Sequence, residues 1–114
     1  MIKQFDIWIA DLNPSGGTVP GKIRPVVIIQ TDGLNKVDHP STSILPITTN
    51  VFENASLLRV NLLPSKNNGL SKKSAILMDQ IRTVDNRKLI EKVGRIESKE
   101  IKQIKESLKI ILGL

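Results

Sequence analysis

The chain has 114 residues, 17 of them Lys or Arg against 11 Asp or Glu, giving a formal net charge of +6, with one histidine and no cysteine. That length suits a single domain, 1–114, and the basic excess favours a polyanionic partner, nucleic acid before acidic membrane. The missing cysteines exclude disulfides, thiolate metal sites and cysteine nucleophiles, and the lone His39 excludes a two-histidine acid–base pair.

Phe5 to Asp11 alternate as a strand does, with Phe5, Ile7 and Ile9 on one face and Asp6, Trp8 and Ala10 on the other. Trp8 reads as a packing residue rather than a base-stacking platform. Asn13 to Gly21 hold two prolines and three glycines and read as a loop, long enough to suggest a functional one. The loop leads into Arg24-Pro25, followed by Val26-Val27-Ile28-Ile29, a β-branched run that predicts a buried strand over Pro25–Gln30. Proline fixes its own φ and pushes the residue before it toward an extended shape. Arg24 is therefore held at a strand mouth, and its planar, permanently charged fork suits a phosphate there, or else a rim carboxylate.

Thr31 to Ser41 read as a polar loop, with His39 solvated and without a role. Thr42 to Thr49 read as a strand, which Pro46 should confine to an edge or a bulge. Further strands are expected at Leu57–Leu63 and Ser74–Ile81, separated by a polar loop from Pro64 to Lys73. Asp79, Gln80 and Arg82 mark a polar exit from the second. A short turn at Arg87–Leu89 and a last strand at Glu91–Ile96 precede a helix. Ser98 is its expected N-cap, with Glu100 in the first turn and Gly113 as its stop. Ile101, Ile104, Leu108, Ile111 and Leu112 share one helical face, with Ile110 beside it. Many short strands and one terminal helix predict a mainly β fold, a small, strongly curved sheet or partly open barrel. No apolar run approaches the ~18 residues of a membrane span, and the first residues carry no signal-peptide stretch. A soluble, cytoplasmic protein with no membrane partner is expected.

Asp6-Ile7-Trp8, Asp11-Leu12-Asn13-Pro14, Arg24-Pro25-Val26-Val27, Pro46-Ile47-Thr48-Thr49 and Asp79-Gln80-Ile81-Arg82-Thr83-Val84-Asp85 stand in the order and spacing of one family. On these motifs and the terminal helix the chain resembles the MazF/PemK toxin endoribonucleases over nearly its whole length. The resemblance implies an SH3-like β-barrel, a homodimer, sequence-specific cutting of single-stranded RNA and inhibition by a cognate antitoxin protein. It makes Arg24 the catalytic arginine and Thr48 the catalytic threonine. Asp79 and Gln80 match the acidic residue and glutamine near the RNA. Gly17-Thr18-Val19-Pro20 departs from the Gly-Ser-Glu-Gln of many members, which leaves the general base open.

On chemical grounds, a metal-free ribonuclease uses the substrate's own 2′-OH as nucleophile and needs charge stabilisation at phosphorus above all. Arg24 would clamp the phosphate and Thr48 would donate to it. Asp79 would be either the carboxylate of the reaction or a strut for Arg24. Thr18, Lys22, Thr49 and Gln80 are expected to contact the substrate, whose bases must be splayed to be read. Scattered carboxylates and an isolated histidine predict no metal and no cofactor. Two other readings share this fold: a non-catalytic barrel that binds RNA or protein, and a gyrase-targeting toxin.

Overall fold

The computed structural model describes residues 1–13, 22–51 and 57–114. Where apolar residues alternate or run together, the chain forms strands β1 (Asp6–Asp11), β2 (Ile23–Ile28), β3 (Ser41–Thr48), β4 (Arg59–Leu62), β5 (Ser74–Leu77), β6 (Arg82–Asp85) and β7 (Leu89–Arg95). A one-turn helix, α1 (Asp32–Asn35), follows β2, and the terminal helix, α2 (Ser98–Leu112), follows β7. All strand pairs are antiparallel, in the order β4-β5-β3-β2-β1-β7, with β6 also on β3. The fold is thus mainly β with a C-terminal helix. Its barrel-like sheet stays open among the described residues, because β4 and β7 do not pair.

Period-two alternation sends successive side chains to opposite faces, and both faces are packed. On one, Ile7, Val27, Leu45, Ile47, Val60 and Ile76 meet Ile104 of α2, with Ile101, Leu108 and Ile111 against them. On the other, Ala10, Leu12, Val26, Ile28, Ile44 and Val84 form a second core beneath Trp8 and Leu89. Trp8 is a packing residue, as expected. Burial on both faces explains why β2 reads as a continuous apolar run.

Several sequence expectations are corrected. The strand foreseen at Ser74–Ile81 stops at Leu77, turns, and gives way to β6, whose short polar sequence carries little strand signal. The loop from Thr31 contains α1, capped where the Thr31 hydroxyl accepts from Gly33 N–H at 3.3 Å. Ser98 is the first helical residue rather than the cap. Glu97 holds the cap position without a capping bond, its carboxylate accepting instead from the Ser65 hydroxyl at 2.6 Å. Leu112 is exposed rather than in the seam. Gly113 does stop the helix, at φ 68°.

Pro46 lies in an interior strand, not at an edge. β3 pairs with β6 through residues 41–44 and with β5 through Ile47 and Thr48, so Pro46 falls at the handover between them. Ser43 C=O accepts from Ile29 of the β2 segment, so odd-numbered residues of β3 present their backbone to β2 and even-numbered ones face away. The N–H that Pro46 lacks would therefore point into the gap between β5 and β6.

Asp6, on the face of β1 that also carries Trp8 and Ala10, is completely buried. Arg95 Nη1 donates to it at 2.9 Å, Lys92 Nζ lies at 3.5 Å, and Lys3 N–H and the Trp8 indole N–H also point at the carboxylate. A buried charge is tolerable only when paired and hydrogen-bonded in this way.

Residues 65–69 fold against β7, where Arg95 N–H donates to Asn67 C=O at 2.8 Å. A Cβ on Gly94 would stand 2.4 Å from Asn67 O and 2.5 Å from Asn68 C. Because both obstacles are backbone, Gly94→Ala is expected to cost about 1–3 kcal/mol of stability, read as a lower urea midpoint with unchanged slope.

Candidate functional site

Proline chemistry builds the site at one end of the β2–β3 pair. Even-numbered residues of β2 face β1, as the bond from Phe5 N–H to Ile28 C=O shows, so Pro25 turns its missing N–H toward β3. The β2–β3 ladder accordingly ends at Val26↔Pro46. Continued by two residues, that register sets Arg24 opposite Thr48, just beyond the last pair. Arg24 keeps its place through β1, opposite Ala10, and is half-buried. Alternation puts Arg24 on the Val26/Ile28 face, Thr48 on the Ile44/Pro46 face and Arg82 on the Val84 face. These belong to one side of the sheet, the side of the second core.

Thr48 is fixed independently. It pairs with Ala75 of β5, and its hydroxyl accepts from Asn50 N–H at 3.1 Å. Acceptance there leaves the hydroxyl hydrogen as a donor. Thr49 lies beyond the strand and is exposed.

The base of the β1–β2 loop is tied on both sides. Leu12 N–H donates to Lys22 C=O at 2.8 Å, and Lys22 N–H donates to the Asn13 side chain at 2.8 Å. Asn13 N–H in turn donates to Asp11 Oδ1 at 3.0 Å, and Lys88 Nζ reaches Asn13 C=O at 3.3 Å. Lys22 is exposed at φ 69°, a left-handed conformation that side chains other than Gly and Asn adopt at a cost. Thr18 lies outside the described residues.

Asp79 is exposed and Gln80 half-buried on the turn between β5 and β6. Since both of those strands pair with β3, the turn runs alongside the middle of β3. Gln80 N–H closes it onto Leu77 C=O at 3.2 Å. The ion pair of Asp79 runs across to Arg59 on β4, at 3.5 Å. Arg59 was missed by sequence reasoning. It stands 20 residues before its partner, inside the strand expected at Leu57–Leu63, and the β4–β5 pairing brings the two together.

Two other carboxylates are engaged too, Asp11 at the loop base and Asp85 opposite Ser41 at the far end of β3. Asp11 accepts from Asn13. Asp85 makes two bonds of 3.0 Å with the Arg87 fork and a third with Arg87 N–H at 2.8 Å. The fork, and then the backbone bond, hold the Asp85 carboxyl below its ordinary 3.8. Among the described residues, no three His, Asp or Glu side chains gather as a metal site. No helix among them is long and apolar enough to cross a membrane.

Such a mouth offers a guanidinium, a hydroxyl donor and an amide above a rigid sheet, a donor set made for an anionic, extended ligand. The site rests on a closed loop base. Asn13→Ala is expected to remove its bond to Lys22, costing about 1 kcal/mol or less. The check is faster amide exchange at Lys22 with Leu45 unchanged.

Comparison with known proteins supplies the family. The family model described as "PemK-like, MazF-like toxin of type II toxin-antitoxin system" matches residues 3–112. The "Endoribonuclease MazF" of Staphylococcus saprophyticus subsp. saprophyticus is 39% identical over 114 residues, covering 100% of this chain and 93% of that one. Among solved structures, MazF from Deinococcus radiodurans superposes with a TM-score of 0.81 at 19% identity, covering 99% of this chain and 97% of that one. An endoribonuclease in complex with its cognate antitoxin, from Mycobacterial species, gives a TM-score of 0.75 at 18% identity, covering 99% and 94%.

Proposed function

We propose, from the premise that this chain belongs to the PemK-like, MazF-like toxin family of type II toxin–antitoxin systems, that it is an endoribonuclease cutting single-stranded RNA without a metal. The observation that carries the proposal is the mouth of β2 and β3, where Pro25 ends the ladder after the Val26↔Pro46 pair and leaves Arg24 and Thr48 as the next same-face pair.

The substrate's 2′-OH attacks the adjacent phosphorus. Its proton is lost, the bond to the 5′-oxygen breaks, and that oxygen leaves with a proton as a 5′-hydroxyl, opposite a 2′,3′-cyclic phosphate. Arg24 clamps the phosphoryl oxygens with parallel N–H donors as charge builds on them, the contribution expected to weigh most. Thr48 donates a further hydrogen bond. Asp79 is the acidic member of the site. Lys22, Thr49 and Gln80 contact the RNA on either side, with Thr18 from the adjoining loop. Single strands suit this site because a duplex hides its base edges.

The direct test incubates the protein with a long single-stranded RNA of known sequence in EDTA and maps the new 5′ ends. Discrete cuts ending in 5′-hydroxyl are expected. Arg24→Ala should lower the rate about 10²–10³-fold, and Arg24→Lys should restore little, because a point charge cannot make the paired contact. Thr48→Val should impair cutting more than Thr49→Val. Cutting of RNA carrying a 2′-deoxyribose at the mapped position would rule out the internal nucleophile.

The functional unit proposed is a homodimer restrained by an antitoxin. Ile110 is 61% exposed, Leu112 53% and Leu114 88% at the end of α2, and Leu57 is 52% exposed nearby. The Ser107 hydroxyl donates to Leu57 C=O at 2.7 Å, which brings Leu57 and Ile110 onto one surface. Contiguous exposed apolar groups mark an association surface, and a two-fold partner is the commonest occupant. The basic side chains Lys22, Arg24 and Arg82 suit an acidic antitoxin segment competing with RNA. Sedimentation at low micromolar concentration should report twice 12.6 kDa. A mass of one chain, unchanged with concentration, would refute the dimer.

A further inference from the structure

The turn that carries Asp79 and Gln80 has no partner strand of its own, because β5 has ended at Leu77 and β6 begins only at Arg82. It is held from β4 instead. Arg59 is opposite Leu77 in the β4–β5 register, and Met78 N–H donates to Leu58 C=O at 3.1 Å. The same Leu58 oxygen accepts from Arg59 Nη1 at 2.9 Å. With its guanidinium pinned to that carbonyl, Arg59 meets Asp79 Oδ1 at 3.5 Å.

Two further facts separate Arg59 from an ordinary surface arginine. Its side chain is only 22% exposed, so the pair is shielded from solvent on one side. Its Nε is occluded and has no hydrogen-bond partner among the described residues. An orphaned buried donor on a charged group costs free energy, and such groups in a folded protein call for an explanation. Stability alone gives a poor one, since an apolar side chain would fill the space beneath α2 without that cost. Its fork, however, reaches the backbone of its own strand and the carboxylate of the neighbouring turn together, which a point charge does less well.

We propose that Arg59 is a positioning residue for the site: it sets the Asp79–Gln80 turn against β3 and thereby fixes where the acidic group and the amide stand relative to the scissile phosphate. This rests on the reading of Asp79 and Gln80 as members of an RNA-cutting site. Arg59 itself does not touch the substrate. It acts through Asp79, so the two residues should behave as one unit.

The test uses the full chain and an RNA oligonucleotide spanning a cut site mapped as above. Arg59→Met, Arg59→Lys, Asp79→Asn and the double variant R59M/D79N are compared. Arg59→Met is expected to lower kcat about tenfold with KM within about twofold, and the double variant should be no slower than Asp79→Asn alone, as expected for coupled groups. Arg59→Lys should recover part of the loss. If the two effects multiply, or if Arg59→Met lowers the melting temperature while kcat holds, the proposal is wrong and Arg59 is structural only. Amide exchange gives an answer that does not need catalysis: Arg59→Met should speed exchange at Gln80 and leave Leu45 unchanged. Unchanged exchange at Gln80 would overturn the proposal. A wild-type protein that cuts no RNA would instead overturn the functional reading, with the exchange result still deciding what holds the turn.

Discussion

Along one edge of β3 the chain must satisfy two different strands, β6 over residues 41–44 and β5 over Ile47 and Thr48. The rest of the site depends on that division. Between the two partners a backbone donor would be stranded, and Pro46 has none to strand. On the opposite edge, Pro25 ends the pairing with β2 at the same end of the sheet. The result is an opening in an otherwise continuous hydrogen-bonded surface, with Arg24 and Thr48 on its lips and the β5–β6 turn beside it. The side chains stay in place because their own strands are paired elsewhere, Arg24 through β1 and Thr48 through β5.

What could be read from the chain is what depends on neighbours in sequence. The Val26–Ile29 run, the Arg24-Pro25 junction, the Ile101/Ile104/Leu108 seam and the stop at Gly113 each carry their cause within a few residues. What depends on pairing across the chain could not. β6 has one buried apolar residue, Val84, and exists because the edge of β3 offers it partners. Pro46 reads as an edge signal because the rule assumes one partner along each strand edge. The burial of Asp6 has no cause near it in sequence, because the cation that meets it, Arg95, stands 89 positions away. Arg59 gained meaning only when the register of β4 on β5 put it against the turn. The motifs that mark the family were legible, and the groups that hold their residues in the fold were not.

The electrostatics of the site follow from which charges are already engaged. Asp11, Asp79 and Asp85 each have a partner, on Asn13, Arg59 and Arg87 respectively. Their effect is to brace the loop base, the turn and the end of β6, so the carboxylates serve first as structure and leave the mouth lined with donors. On the function proposed above, a ligand with negative charge along its length would meet guanidinium, hydroxyl and amide groups carried on strands and a turn that are fixed before it arrives. That is preorganisation, and it is what electrostatic stabilisation of a phosphoryl group requires.

The burial of Asp6 also constrains when the protein can exist. β1, the first strand made, lies between β2 and the last strand, β7, and Ile96 N–H closes onto Phe5 C=O at 2.9 Å. Until residues 92 and 95 arrive, the carboxylate has lost the cations that make its burial tolerable, and the core beneath α2 lacks its cover. Contacts this distant in sequence form late. Asp6 therefore couples β1 to β7: the first and last strands of the described sheet become a stable pair only together, and the core beneath α2 closes in the same event.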